Sequence, residues 1–205
     1  EEAVKILKKI EYWVLVDDAE LGRPKLSGNS AVNTLAVPMM LLVLVSELTS
    51  DDIRLADEFK SLQDWAIQQA LQHVQRDGSI ILESVSIDGK ELKGCQGRQM
   101  NPGHAIEAGW FLLDHAIKHD KPDLKQTALQ QFIVNPFNTG WDKKHGGLFY
   151  FLDSDGLSPT QLEWNMKLWW PHNEALIAFL MAYRETNESV YLDYFAQVFD
   201  YTFNH

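Results

Sequence analysis

The stretch from Asn101 to Leu113, NPGHAIEAGWFLL, reads as the start of a buried helix, and two other stretches share its design. Asn101 is a good N-cap, and Pro102 suits the first helical position, where its missing N–H would have had no intrahelical partner. The run AIEAGWFLL that follows is almost wholly apolar, as are AVPMMLLVLV (36–45) and EALIAFLMAY (174–183). Pro38, Pro102 and Pro171 fall in or near the start of these three runs at nearly equal spacing, which is a weak internal repeat. Each apolar run is followed, after a short polar break, by a more amphipathic one such as IRLADEFKSLQDWAIQQALQHV (53–74). The contrast predicts inner helices buried all round and outer helices buried on one stripe.

Working outward, helical periodicity covers residues 1–15, 30–49, 51–76, 102–119, 121–134, 166–186 and 189–204. Breaks at 49–52, 119–122 and 186–188 are short enough to make antiparallel pairs. The longer segments between pairs carry another pattern. DGSIILESVSIDGKEL (77–92) alternates and turns at Asp88-Gly89, and HGGLFYFLDSDG (145–156) turns at 153–156, so both read as β-hairpins. The fold expected is all-α, a toroid of helical hairpins, with residues 1–205 as a single partial domain. An open helical solenoid is the alternative that periodicity leaves standing. Seven helices do not close such a ring. The chain also begins without Met inside what reads as a helix, and it stops at Phe203-Asn204-His205. The expectation is a portion of a longer polypeptide.

The inter-pair loops precede the inner helices, so they gather at one rim with those helices' N-termini, and a pocket is expected there. His104 stands in the first turn, where the positive end of the helix dipole disfavours imidazolium; a neutral ring able to accept a proton is expected. Glu107, three residues on, shares its face and is placed to orient the ring or hold a substrate hydroxyl. A second constellation, MKLWWPHNEAL (166–176), sets Lys167, Trp169, Trp170, His172 and Glu174 around another helix start. Paired indoles beside a carboxylate suit a carbohydrate, whose ring faces stack while its hydroxyls are held. Taken singly, either tryptophan reads more readily as core. A metal site is not expected, because no HExxH or Cys-x-x-Cys accompanies His104. His73, His115, His119 and His145 read as surface or outer-helix residues without a role.

Composition narrows the partners. A net charge of −11, with no large basic cluster, argues against nucleic acid or an anionic membrane. The most apolar run, 35–45, is far shorter than the about 20 residues that span a bilayer. Cys95 is the single cysteine, so no internal disulfide forms and a reducing, cytoplasmic compartment is expected. GxGxxG, P-loop and G-x-S-x-G motifs are absent.

The runs GRQMNPGHAIEAGWFLL (97–113), FNTGWDKKHGGLFYF (137–151), PTQLEWNMKLWWPHNEALIAFLMAY (159–183) and AVPMMLLVLV together resemble the N-acylglucosamine 2-epimerase family, over most of the chain. The resemblance implies an (α/α)6 barrel and interconversion of N-acetylglucosamine and N-acetylmannosamine, a step connected with sialic acid metabolism. It implies that His104 is one of two bases exchanging the proton at C2 of the open-chain sugar. Glu107 would support the base or the substrate, and Glu174, Trp170, Lys167 and His172 would bind the sugar. No cofactor is required for the chemistry; ATP is implied as an activator, with a homodimer and, for mammalian-type members, renin as a partner. The family's second histidine belongs to a Phe-His-x-Pro-Arg type motif that these 205 residues do not contain. Related mannose and cellobiose isomerases tend to carry an extra histidine in the first inner helix, where this chain has AVNTLAVPMM, which favours the N-acyl sugar branch. Two rival functions stay open. One is a glycoside hydrolase or lyase on the same toroid with Glu107 and Glu174 as its carboxylate pair; the other is a binding protein.

Overall fold

In the computed structural model, which describes residues 1–23, 25, 27–28 and 31–204, seven helical rods run through the chain. They are α1 (Glu2–Leu15), α2 (Ala36–Thr49), α3 (Ile53–Leu71), α4 (Pro102–Lys118), a composite rod, α7 (Trp169–Thr186) and α8 (Ser189–Asn204). The composite rod joins α5 (Pro122–Thr127), a π-helical stretch (Ala128–Val134) and α6 (Asn135–Gly140). Three antiparallel pairs result: α2 with α3, α4 with the composite rod, and α7 with α8. α4 packs against α2 on one side and α7 on the other, so α2, α4 and α7 form the inner row. The result is an inner row of helices, each backed by an outer one.

Burial follows the contrast seen in the sequence. α4 buries eleven of its residues, from Pro102 to Ala116, whereas α8 buries only Tyr191 and Val198. Close approach needs small residues at particular points. A Cβ on Gly109 would lie 2.7 Å from Ile133 Cγ1 and 2.9 Å from Phe132 Cβ, so this glycine lets α4 lie directly on the composite rod. Capping also follows the sequence: the Asn101 carboxamide oxygen accepts from the His104 N–H at 3.1 Å, and Asp52 caps α3 in the same way.

Four segments differ from expectation, each for a local reason. The helix expected over 30–49 begins only at Ala36; its first residue, Ser30, lies outside the described residues, and Val32–Thr34 instead pair as strand β1 with β4 (Ser84–Ser86). The helix expected over 51–76 ends at Leu71, because Val74–Gln75 form β2 against β3 (Ile80–Ile81), and Arg76, Asp77 and Gly78 all turn with positive φ. The rod expected to stop at 134 runs through Pro136. Proline cannot donate to the carbonyl four residues back, and the preceding turns widen so that the Asn135 N–H reaches the Gln130 carbonyl.

The second expected hairpin is only partly as read. The turn at 153–156 forms, with the Gly156 N–H on the Asp153 carbonyl at 3.0 Å, while a separate turn lies at 142–147, where Gly146 and Gly147 take φ of +76° and +78° and Trp141 bridges Leu148. Leu152–Asp153 (β6) instead pair across the rim with Gln99–Met100 (β5). The turn at Asp88-Gly89 is as expected, closed by the Ser86 N–H to the Lys90 carbonyl at 2.9 Å. These rim segments carry a small core of their own, Leu82, Val85 and Met100, beside the main cluster that links the helices. Among the described residues no helix is long and apolar enough to cross a membrane.

Candidate active site at the rim of the inner helices

His104 sits where the sequence places it, in the first turn of α4, with an additional partner. Its Nδ1 lies 2.9 and 3.1 Å from the two carboxylate oxygens of Glu83, a residue between β3 and β4. The ring also packs against Trp170, centroid to centroid 5.2 Å. Gly103 makes that packing possible, since a Cβ there would lie 2.7 Å from the indole. No hydrogen bond engages Nε2 among the described residues, so this nitrogen remains for a substrate.

At this ring Glu83 opposes the helix dipole. Burial does work against the charged ring, but the Glu83 hydrogen bond and the negative charges of Glu83 and Glu107 outweigh it, and the His104 pKa lies above the ordinary imidazole value. A full charge within hydrogen-bonding distance overrides the half charge of a helix terminus.

Glu107 and Glu174 face each other from the adjacent inner helices α4 and α7. Burial pushes the Glu107 pKa up to about 7, and the charge of Glu174 adds to the effect. Burial raises Glu174 as well, while a hydrogen bond from Trp110 Nε1 to its Oε2, at 2.7 Å, holds that effect back. Glu107 therefore keeps its proton to near neutral pH, and Glu174, supported by the Trp110 N–H, is the better-stabilised anion of the two.

Four of the residues singled out in the sequence thus converge: His104, Glu107, Trp170 and Glu174. Two do not. His172 is buried, with both ring nitrogens engaged in the fold: Nδ1 donates to the Leu168 carbonyl at 2.6 Å and Nε2 accepts from the Leu148 N–H at 2.9 Å. That pattern fixes a neutral ring, and burial lowers its pKa accordingly. Lys167 is likewise taken, paired with Asp142 at 3.1 Å and lying 3.3 Å above the centre of the Phe149 ring. The pair braces the 142–147 turn, whose Lys144 and His145 N–H groups help hold Asp142 at about 2 against its burial. Trp169, next to Trp170, is 68% exposed at the rim.

Two further residues belong to the site. Trp110 was legible as one helical turn beyond Glu107, on a related face. Glu83 carried a fainter signal, a lone carboxylate in the alternating run ILESVS. His73 and His115 also depart from the sequence reading: both are buried, and burial lowers the pKa of each, that of His115 to about 4.

Comparison with known proteins places this geometry. The family model described as N-acylglucosamine 2-epimerase matches residues 39–205. The chain belongs to the N-acylglucosamine 2-epimerase family. It is 55% identical over 203 residues to the N-acylglucosamine 2-epimerase of Rattus norvegicus, covering 99% of this chain and 48% of that one. The Homo sapiens protein of the same name is 54% identical over 202 residues, covering 98% and 47%. The chain therefore spans about half the length of these relatives. Among solved structures, a D-mannose isomerase superposes with a TM-score of 0.64 at 19% identity, over 87% of this chain and 45% of that one. Cellobiose 2-epimerase from Bacillus thermoamylovorans superposes with 0.64 at 18% identity, over 82% and 40%. These likenesses establish the α/α-barrel fold.

Proposed function

We propose that the protein carrying this chain is an isomerase that interconverts N-acetylglucosamine and N-acetylmannosamine by moving the proton at C2 of the open-chain sugar. The observation that carries this reading is the Glu83–His104 pair at the N-terminal rim of an inner helix, with Nε2 unengaged. A proton alpha to an aldehyde is removed by a base whose pKa is near neutrality, and a carboxylate-held imidazole meets that need. His104 Nε2 takes the C2 proton as the C–H electron pair forms the C1–C2 double bond of the enolate. Return of a proton to the opposite face of C2 completes the inversion. Trp170 and Trp169 offer apolar surface to the sugar, and Glu107 and Glu174 offer hydrogen bonds to its oxygens. Family membership further supports ATP as an activator outside the chemistry, a homodimer, and a cytoplasmic place in amino-sugar and sialic acid metabolism.

A hydrolase using Glu107 and Glu174 would leave the Glu83–His104 pair without a task. The deciding experiment incubates the intact protein with N-acetylglucosamine in D2O and follows C2 by NMR. Deuterium is expected at C2 of both epimers, with exchange at one face lost in His104→Ala while sugar binding stays measurable. Exchange unchanged in His104→Ala would remove this residue from the reaction, and cleavage of a disaccharide without C2 exchange would replace the isomerase reading with the hydrolase.

A further inference from the structure

We propose that Glu83 is the positioning residue of His104: it selects the ring nitrogen that carries the resting proton and holds the imidazolium formed when C2 is deprotonated. This rests on the reading of His104 as a base. A carboxylate only accepts hydrogen bonds, so the nitrogen facing Glu83 at 2.9 and 3.1 Å must be protonated. The neutral ring therefore keeps its lone pair on Nε2. Without Glu83, no other described side chain hydrogen-bonds the ring, and neither tautomer is favoured.

The carboxylate is itself rigidly placed. The Glu83 N–H donates to the Gln99 carbonyl at 2.9 Å, and the Glu83 carbonyl accepts from the Leu35 N–H at 3.0 Å. One residue thereby ties the entry to α2 and the β5 strand leading into α4, so three rim segments fix where its side chain lies. Leu82 and Val85 on either side are buried in the small rim core with Met100. His104 is held from its own side by the Asn101 cap and by Trp170, which leaves the Glu83 contact to set ring rotation.

The charged and titratable groups around the pair are few. Glu107 lies on α4 itself, and α7 presents Trp170, with Glu174 turned to Glu107 and Trp110. The β1–α2 entry contributes backbone only. His73, beyond the end of α3, is the remaining group near Glu83; it is buried, its Nδ1 bonded to the Leu82 carbonyl at 2.6 Å.

The test compares Glu83→Gln and Glu83→Asp with wild type in the intact enzyme. Gln keeps the shape but loses the charge, and its NH2 can donate to Nδ1 and so reverse the tautomer. Loss of that support is expected to lower kcat by about 10- to 100-fold, with KM within about twofold. The His104 ring titration, followed by NMR on labelled histidine, is expected to move to lower pH in Glu83→Gln. Glu83→Asp, which keeps the charge, should recover part of both. Wild-type kcat with an unmoved titration in Glu83→Gln overturns the proposal, as does a kcat loss matched by loss of folded protein. A shifted titration in a protein that epimerises no amino sugar would sink the isomerase reading and leave the assignment of Glu83 as partner intact.

Discussion

Replacing Glu107 with Gln is expected to make the protein more stable at pH 8. The reason is the cost of an anion at that position. The Glu107 pKa rises from an ordinary 4.5 to about 7 in the fold, chiefly through burial and then through the facing Glu174. The folded state therefore binds the Glu107 proton more tightly than the unfolded state. Below about pH 4.5 the carboxyl is protonated in both states and no penalty arises. Between 4.5 and 7 the unfolded chain ionises while the fold resists, so stability falls as pH rises, and the loss levels off above 7. Each pKa unit corresponds to about 1.4 kcal/mol, which gives a ceiling on the order of 3 kcal/mol at pH 8. Gln has the shape and neutrality of the protonated carboxyl, so it removes the penalty without opening a cavity.

Urea unfolding of the intact wild type and Glu107→Gln at pH 4.5 and pH 8 measures the difference. The two proteins should unfold alike at the lower pH, and the variant should gain about 2–3 kcal/mol at the higher one. A variant less stable than wild type at pH 8, or a gain equal at both pH values, would refute the argument that burial of this carboxylate is uncompensated.

Other substitutions test the remaining parts. Gly103→Ala places a methyl 2.7 Å from the Trp170 ring and 2.9 Å from Pro171 Cβ; a stability loss of about 1–3 kcal/mol and a raised KM are expected from unfolding and steady-state measurements. His172→Ala leaves the buried Leu148 N–H without an acceptor and opens a hole, so it should cost about 2–4 kcal/mol in urea unfolding; bound sugar should not protect the ring from titration, as it would if His172 were a ligand. Residues 1–205 on their own should show no epimerase turnover in a coupled sugar assay, since the reaction needs a second base on the other face of C2; turnover near that of a full-length relative would show that this chain supplies both.

Much of this was legible in the chain. The inner helices declared themselves by apolar runs without a polar face, and α4 declared its start through Asn101 and Pro102, because capping and proline geometry are local. His104, Glu107, Trp170 and Glu174 were legible for the same reason: helix phase alone puts each on the rim. Glu83 was only faintly so, since its importance comes from a contact across 21 residues made just before β4, a strand whose partner β1 lies 50 to 54 positions away. His172 and Lys167 misled because a polar residue at a helix start signals a ligand or a brace equally well. Only the positions of Leu148 and Asp142 decide between them, and these are set by the rim turns rather than by the helix.

The charges of the site make sense as a set. His104 with its proton is matched by Glu83, and Glu174 is matched in part by the Trp110 N–H, which leaves Glu107 as the carboxyl with no compensating donor among the described residues. In the proposed reaction negative charge grows on the aldehyde oxygen at C1 as the C2 proton leaves. A second full anion at Glu107 would raise the energy of that state, whereas a carboxyl still holding its proton near neutral pH lowers it by donating a hydrogen bond. The same burial that makes Glu107 costly to the fold above pH 7 therefore suits it to the step that follows loss of the C2 proton. On this argument kcat should decline as Glu107 ionises above about pH 7, and Glu107→Gln, which keeps a donor but loses the ionisation, should flatten that alkaline limb. A limb of unchanged midpoint in the variant would assign the ionisation to another group.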